Sequence, residues 1–250
     1  MKIVISESQY NRILKEEEEQ KVLHIPSLKI FDEDILVAWN ILQKFLEKKG
    51  NPPYSIGGNL DLSHKDIQSL GNLKSVGGDL DLVGTPIKSL GNFQSVGGDL
   101  DLRGTPIESL GNLQSVGGYL DLEGTPIKSL GNLQSVDGYL DLRKTQIKSL
   151  ENLEYVGSDL YLKDTPIKSL GNLQSVGRDL SLYDTQIESL GNLQSVGGNL
   201  ELFGTQVKSL GNLKSVGGFL NLPETPLSTM YTKKQIRDIV NVGAKIYLSA

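Results

Sequence analysis

The chain of 250 residues has no cysteine, so it carries neither a disulfide nor a thiolate metal site, which fits a reducing compartment. Only two histidines, His24 and His64, are present, leaving little for a histidine-based metal or catalytic centre. No apolar run approaches the roughly 20 residues that span a bilayer. The opening, Met1–Ile5 followed by the polar Ser6–Glu7–Ser8–Gln9, lacks the apolar core of a secretion signal. These absences predict a soluble chain, cytoplasmic or in a virion if the source is viral, with no membrane partner. A net charge of −5 argues against nucleic acid, which demands a basic face. There is no Ser/His/Asp set, no Cys/His pair and no Gly-x-Gly-x-x-Gly phosphate loop. The sequence therefore predicts a non-enzyme, with no catalytic residue, no cofactor and no metal.

Glycine is in excess, at 28 residues, and its placement is regular. From Gly57 the chain repeats every 20 residues, with full units beginning at Gly57, Gly77, Gly97, Gly117, Asp137, Gly157, Gly177 and Gly197. A ninth begins at Gly217 and dissolves after Leu227. Each unit carries six large apolar residues, in the second copy Leu80, Leu82, Ile87, Leu90, Phe93 and Val96. Leu80 and Leu82 have the period of a strand with one buried face. The other four, each three apart, suit a tight return path rather than a long helix. A single coil leaves its apolar edges in water, so the units must stack into a solenoid. The Gly-Gly pair ahead of each strand predicts a tight turn in which positive φ is cheap.

The pattern Leu80-x-Leu82-x-x-Thr85-x-Ile87 resembles the leucine-rich-repeat signature, with Thr85 where that family carries asparagine or cysteine. The longer unit is also similar to the L domains of growth-factor receptors, without their cysteines and with one extra residue at the Gly-Gly turn. The resemblance covers residues 57 to about 227. It implies a mainly-β, right-handed coil of 8 to 9 turns, with strands on one face and a role in protein binding. Two polar columns read as internal turn chemistry: Thr85 to Thr225 and Asn72 to Asn212, each recurring every 20 residues. The threonine hydroxyls are expected to serve turn backbone groups and each other.

Solenoids need their ends covered, which predicts helical caps at both. Residues 32–49 read as an amphipathic helix capped by Asp32 or Asp34, with Ile35, Ala38, Trp39, Leu42, Phe45 and Leu46 on one face. Thr232-Lys-Lys-Gln235 has the form of a capping box, starting a helix with Ile236, Ile239 and Val240 inward, followed by an extended Lys245–Leu248. The expected organisation is an amino-terminal tether or docking segment (1–24), a helical cap (25–56), the solenoid (57–227) and a helix–strand cap (228–250). Within the tether, Lys2–Ile5 reads as a strand and Ser6-x-x-Gln9 as a helix start. Residues 1–14 resemble the openings of proteins from large tailed phages.

Positions that vary between copies are free to serve function. Outward-pointing residues form three columns along the strand face. The second column stacks Asp61, Asp81, Asp101, Asp121 and Asp141, and at the strand spacing of about 4.8 Å neighbouring carboxylates repel by about 1 kcal/mol in water. Tyr119, Tyr139, Tyr161, Tyr183 and Phe203 draw a diagonal aromatic stripe across all three columns. The expected function is protein binding by this face, with a basic or extended polypeptide as partner. The competing reading is a structural or assembly protein, of a viral particle for instance, docked through its amino-terminal segment. The Lys88, Lys128, Lys148, Lys168 and Lys208 column, broken by Glu108 and Glu188, reads as a solvated surface. The run Gly-Gly-Asp-Leu-Asp is similar to a calcium-binding nonapeptide, but a flat aspartate column offers too few oxygens at any one point.

Overall fold

The computed structural model describes residues 22–28 and 34–248. The tether elements, the acidic run Glu16–Glu19 and Asp32 lie outside the described residues. The chain winds as a parallel β-solenoid of about eight turns of 20 residues. Every turn contributes to two sheets, not one. The Ser-Val sheet has eleven strands, from Leu23–Ile25 and Tyr54–Ile56 through pairs such as Ser115–Val116 to Asn241–Val242. The Leu-Asp sheet has ten, from Leu60–Asp61 to Leu220–Asn221 and Ile246–Tyr247. A third side carries only isolated bridges, such as Ser149 to Ser169. The expectation of strands on one face thus holds for the Leu-Asp run. The three-residue spacing of the return path conceals a second sheet, because two-residue strands are too short to show an alternating pattern.

The register is that of the sequence repeat. Leu120 pairs with Leu140 and Asp121 with Asp141 in one sheet, Ser115 with Ser135 and Val116 with Val136 in the other. All six apolar positions point inward; in the fifth coil Leu140, Leu142, Ile147, Leu150, Leu153 and Val156 are all fully buried. Burying side chains of this size contributes about 1.5–3 kcal/mol each, which outweighs the weak propensity of two-residue strands. The threonine column is buried, and its hydroxyls serve turn backbone groups as expected, but of their own coil and not each other: Thr145 Oγ1 donates to the Leu142 carbonyl at 2.7 Å. The asparagine column is exposed, with long amide contacts such as Asn92 Nδ2 to Asn72 Oδ1 at 3.3 Å.

Helix α1, Ile35–Lys48, is inserted between the first two strands of the Ser-Val sheet. Asp34 is its N-cap, accepting from the Leu36 N–H at 2.8 Å. Its buried face holds Ala38, Trp39, Leu42 and Leu46, whereas Phe45, expected inward, is 48% exposed. Gln43 donates to the Tyr54 hydroxyl, which donates to the Leu70 carbonyl, both at 2.9 Å, so α1 is tied to the first coil. At the other end, α2 (Pro226–Met230) was not anticipated, and α3 (Lys233–Ile239) starts with the expected capping box. Ile236 and Val240 are buried, but Ile239 is exposed, because α3 ends at that residue and the chain turns into the next strand.

The paired glycines do not sit at positive φ; the left-handed positions are Gly84, Gly91 and their equivalents. The Gly-Gly pair is required for close approach instead. A Cβ on Gly97 would lie 2.2 Å from the Gly77 carbonyl oxygen of the preceding coil. Asp137 is the one departure in that column. Gly97→Ala should therefore lower stability by about 1–3 kcal/mol, the usual range for overpacking. Gly124→Ala, whose Cβ meets nothing within 4 Å, should lose only the cost of its left-handed backbone, about 1 kcal/mol. Urea denaturation of the two variants checks the order, and a Gly97→Ala protein as stable as wild type would refute the close-approach account.

Candidate functional site

The outer face of the Leu-Asp sheet is built from three columns, and each has its own chemistry. In the first, Asn and Asp side chains act as backbone acceptors between coils. The Asp99 N–H donates to Asp79 Oδ1 at 2.9 Å, the Tyr119 N–H to Asp99 Oδ1 at 2.9 Å, and the Asn199 N–H to Asp179 Oδ1 at 2.7 Å. This ladder was missed from the sequence, although the restriction of the column to Asn and Asp outside its aromatic members was a usable signal. It breaks where Tyr119 and Tyr139 occupy the column. Their rings stack on one another instead, 4.8 Å apart and 7° from parallel.

The aspartates of the second column were expected to stand outward in solvent. The structure corrects this: Asp101, Asp121 and Asp141 are 5%, 6% and 3% exposed, Asp81 is half-buried, and only Asp61 is exposed. Each closes a turn by accepting, through Oδ1, the N–H two residues on: Val83 for Asp81 at 2.9 Å, Glu123 for Asp121 at 3.0 Å and Arg143 for Asp141 at 3.0 Å. That local bond explains aspartate at a strand end, where its propensity is poor.

The third column supplies the counter-charge. Arg103 clasps Asp101 through Nε, at 3.0 and 3.1 Å from the two carboxylate oxygens, and through Nη2, and its Nε lies 3.4 Å from Asp121. Arg143 repeats the clasp on Asp141 and reaches Glu123 at 3.2 Å, which also pairs with Lys144 at 2.8 Å. Charge-assisted, bidentate pairs of this kind are the stronger class of hydrogen bond. Compensation is incomplete, however. Burial raises the Asp121 carboxyl above its ordinary range, and the Asp141 and Asp101 charges add to this. Asp81 is raised in the same way, by burial and then by Asp61 and Asp101. Asp61 is lowered, chiefly by the Ser63 hydroxyl donating at 2.6 Å.

All five stripe aromatics fall on this face and are half-buried. Tyr161 continues the Tyr119–Tyr139 stack, its ring 6.5 Å from Tyr139 at 60°. Tyr183 and Phe203 form a second stacked pair at 4.7 Å. Cations sit on the rings: Arg143 lies 5.6 Å from the Tyr161 centroid and Lys163 5.8 Å from that of Tyr183. Burial and the Asp121 charge push the Tyr139 hydroxyl up to about 12. Phe219 and Tyr247 meet edge-on at 5.8 Å and extend the aromatic surface, a contact hidden in the sequence because Tyr247 lies outside the repeats. On the amino-terminal side of Tyr119 the face opens into a hollow of about 220 Å³, lined by Asp61, Asp79, Asp81, Asp99, Asp101 and Tyr119.

Two other surfaces differ in character from this face. On the lysine column Lys208 pairs with Glu188 at 3.0 Å. An apolar groove of about 330 Å³ runs between Leu23, Ile25 and Leu28 on one side and Ile41, Leu42 and Phe45 of α1 on the other. Among the described residues no group of three or more His, Cys, Asp or Glu side chains is disposed to hold a metal ion, and no helix is long and apolar enough to cross a membrane. No protein family, curated protein or solved structure matches the chain.

The raised carboxyl of Asp121 has a consequence for stability. A folded-state pKa above the unfolded value means the native protein holds its proton longer. Stability therefore falls as pH rises from the ordinary value of about 3.9 through the folded pKa. Asp121→Asn keeps an acceptor for the Glu123 N–H and removes the charge. It should be more stable than wild type in urea at pH 7, with the advantage disappearing as the pH drops below the ordinary carboxylate range. An Asp121→Asn protein less stable than wild type at pH 7 would show that attraction to Arg103 outweighs burial and repulsion.

Proposed function

We propose that the chain is a non-catalytic binding module of leucine-rich-repeat type, and that the outer face of its Leu-Asp sheet takes a basic, extended polypeptide. One observation carries this reading: Tyr119, Tyr139, Tyr161, Tyr183 and Phe203 lie on the same face as the carboxylates of the acidic hollow. Tyrosine offers large contact area at small entropic cost and is enriched where proteins meet. The acidic hollow supplies attraction for a cationic chain and speeds encounter. The net charge of −5 acts in the same sense.

The dimensions fit a linear partner. From the coil of Asp61 to that of Phe203 is seven steps of about 4.8 Å, a length covered by roughly ten residues of extended chain. The helices at the two ends are read as caps in this proposal. The support is that Trp39, Leu42 and Leu46 of α1, and Ile236 of α3, join the same apolar cluster as the coils. An assembly role is the second reading, favoured by the groove beside α1, where Leu23, Ile41 and Phe45 are 39–48% exposed.

Selection from a random dodecapeptide library separates the readings. The wild-type chain should enrich arginine- and lysine-bearing sequences. A Tyr139→Ala, Tyr161→Ala, Tyr183→Ala variant with an unchanged circular-dichroism spectrum should bind them at least about tenfold more weakly, since each interface aromatic contributes on the order of 1 kcal/mol or more. Equal binding by the variant, or no enrichment of basic sequences, would reject the strand face as the site.

A further inference from the structure

The exposed apolar side chains of this molecule are gathered at one end. Among the described residues nine large apolar side chains are exposed, and five of them, Val22, Leu23, Val37, Ile41 and Phe45, lie on α1 or on the chain just ahead of it. A gathering of this kind marks a docking surface, whereas scattered apolar residues need no explanation. Val37, Ile41 and Phe45 follow one another at four-residue steps and so form one stripe along α1. Between Ile41 and Phe45 on one side and Leu23, Ile25 and Leu28 on the other runs the groove of about 330 Å³, walled by apolar side chains alone. The capping contact of α1 is made by Trp39, Leu42 and Leu46, so the fold has no use for the exposed stripe. The stripe ends in charge. Lys48 and Lys49 follow Phe45 by three and four residues, with Lys49 Nζ 5.9 Å from the Phe45 ring centroid. Both lysines are exposed, and among the described residues neither has a carboxylate partner.

We propose that this groove is filled by the chain's own residues 10–19, with Tyr10, Ile13 and Leu14 against Ile41 and Phe45, and Glu16–Glu19 against Lys48 and Lys49. In the sequence Tyr10, Ile13 and Leu14 have the i, i+3, i+4 spacing of a helix with one apolar face, the pattern that an apolar groove accepts. The point of attachment is right. Residues 1–21 run into Val22 and Leu23, and the Leu23 N–H donates to the Pro53 carbonyl at 2.9 Å, four residues past Lys49. The segment therefore joins the described chain at the lysine end of α1. Glu16–Glu19, three to six residues before Val22, reach Lys48 and Lys49 first, and Tyr10 to Leu14 follow further back along the stripe. Leu14 is eight residues from Val22, a reach of up to about 26 Å, and Leu23 is itself a wall of the groove. Apolar and charged parts thus come in the same order on both partners. A tethered segment acts at millimolar effective concentration, so it prevails over a free partner offering equal contacts. The inference is independent of the strand-face reading. Its consequence is a self-covered docking surface, open to another molecule only after residues 10–19 have left it.

The chain has no cysteine, so an introduced pair reports a single contact. In the full chain, Leu14→Cys with Ile41→Cys is oxidised in a glutathione buffer beside a control pair, Leu14→Cys with Lys128→Cys on the lysine column. A disulfide requires the two Cβ atoms within about 4.5 Å. The groove pair should form an in-chain disulfide, running as a monomer on a non-reducing gel, at least about tenfold faster than the control. Hydrogen exchange on the cysteine-free full chain gives a second readout. Amides of residues 10–14 should exchange about tenfold more slowly in wild type than in Phe45→Asp, whose side chain is exposed and outside the core. Lys48→Glu with Lys49→Glu should speed that exchange roughly two- to fivefold, and adding Glu17→Lys with Glu18→Lys should restore it. Disulfide-linked dimers in place of the in-chain product would assign the groove to a second copy and overturn the proposal. A groove pair oxidised no faster than the control, or exchange at residues 10–14 unchanged by Phe45→Asp, also overturns it. Charge reversals without effect on exchange remove the pairing of Glu16–Glu19 with the lysines.

Discussion

In a solenoid with a strict 20-residue period, each side chain has its own equivalent as a neighbour on both sides, one strand spacing away. That self-contact governs the molecule. For leucine and isoleucine it is favourable at every step, and six continuous apolar columns result. For tyrosine it produces stacked rings, as between Tyr119 and Tyr139. For glycine it permits one coil to rest on the carbonyl of the coil before it, as Gly97 does on Gly77. For a charged residue it is adverse, because like charges meet at a distance where repulsion is about 1 kcal/mol in water and more when water is excluded.

The treatment of aspartate shows how the chain meets that penalty. The second column retains Asp in five successive coils, since its Oδ1 closes a turn that the backbone cannot close alone. The third column then alternates sign, Arg103, Glu123, Arg143, so that two guanidinium groups serve three buried aspartates and one glutamate. Where the second column turns to Tyr161 and Ser181, the column beside it no longer supplies arginine. The arginines therefore follow the aspartates rather than the coil, which marks them as compensation and not as part of the repeat.

Much of this architecture is legible in the sequence, and the reasons for the gaps are physical. The period, the six apolar positions, the buried threonines and the Thr232–Gln235 box all depend on local pattern, which a sequence displays directly. The second sheet is not visible, since a strand of two residues has no period to detect. The burial of Asp101, Asp121 and Asp141 is not visible either. Alternation next to Leu100 or Leu120 says only that these residues point away from the core; whether that side is wet depends on how far Arg103 and Arg143 reach across coils. The same applies to Phe45 and Ile239, placed inward by helical spacing and left exposed because the inward surface ends short of them.

Coil two has no arginine of its own. Asp81 is half-buried and pushed above the ordinary carboxylate range, yet it is followed by valine where arginine would relieve it. The remedy was available by a single substitution already used twice in the chain. Uncompensated charge at a partly dry position lowers stability, and the turn that Asp81 closes through Oδ1 is what retains it there. Asp81 thus keeps its turn despite a repulsion from Asp61 and Asp101 that Arg103, one coil on, offsets only in part.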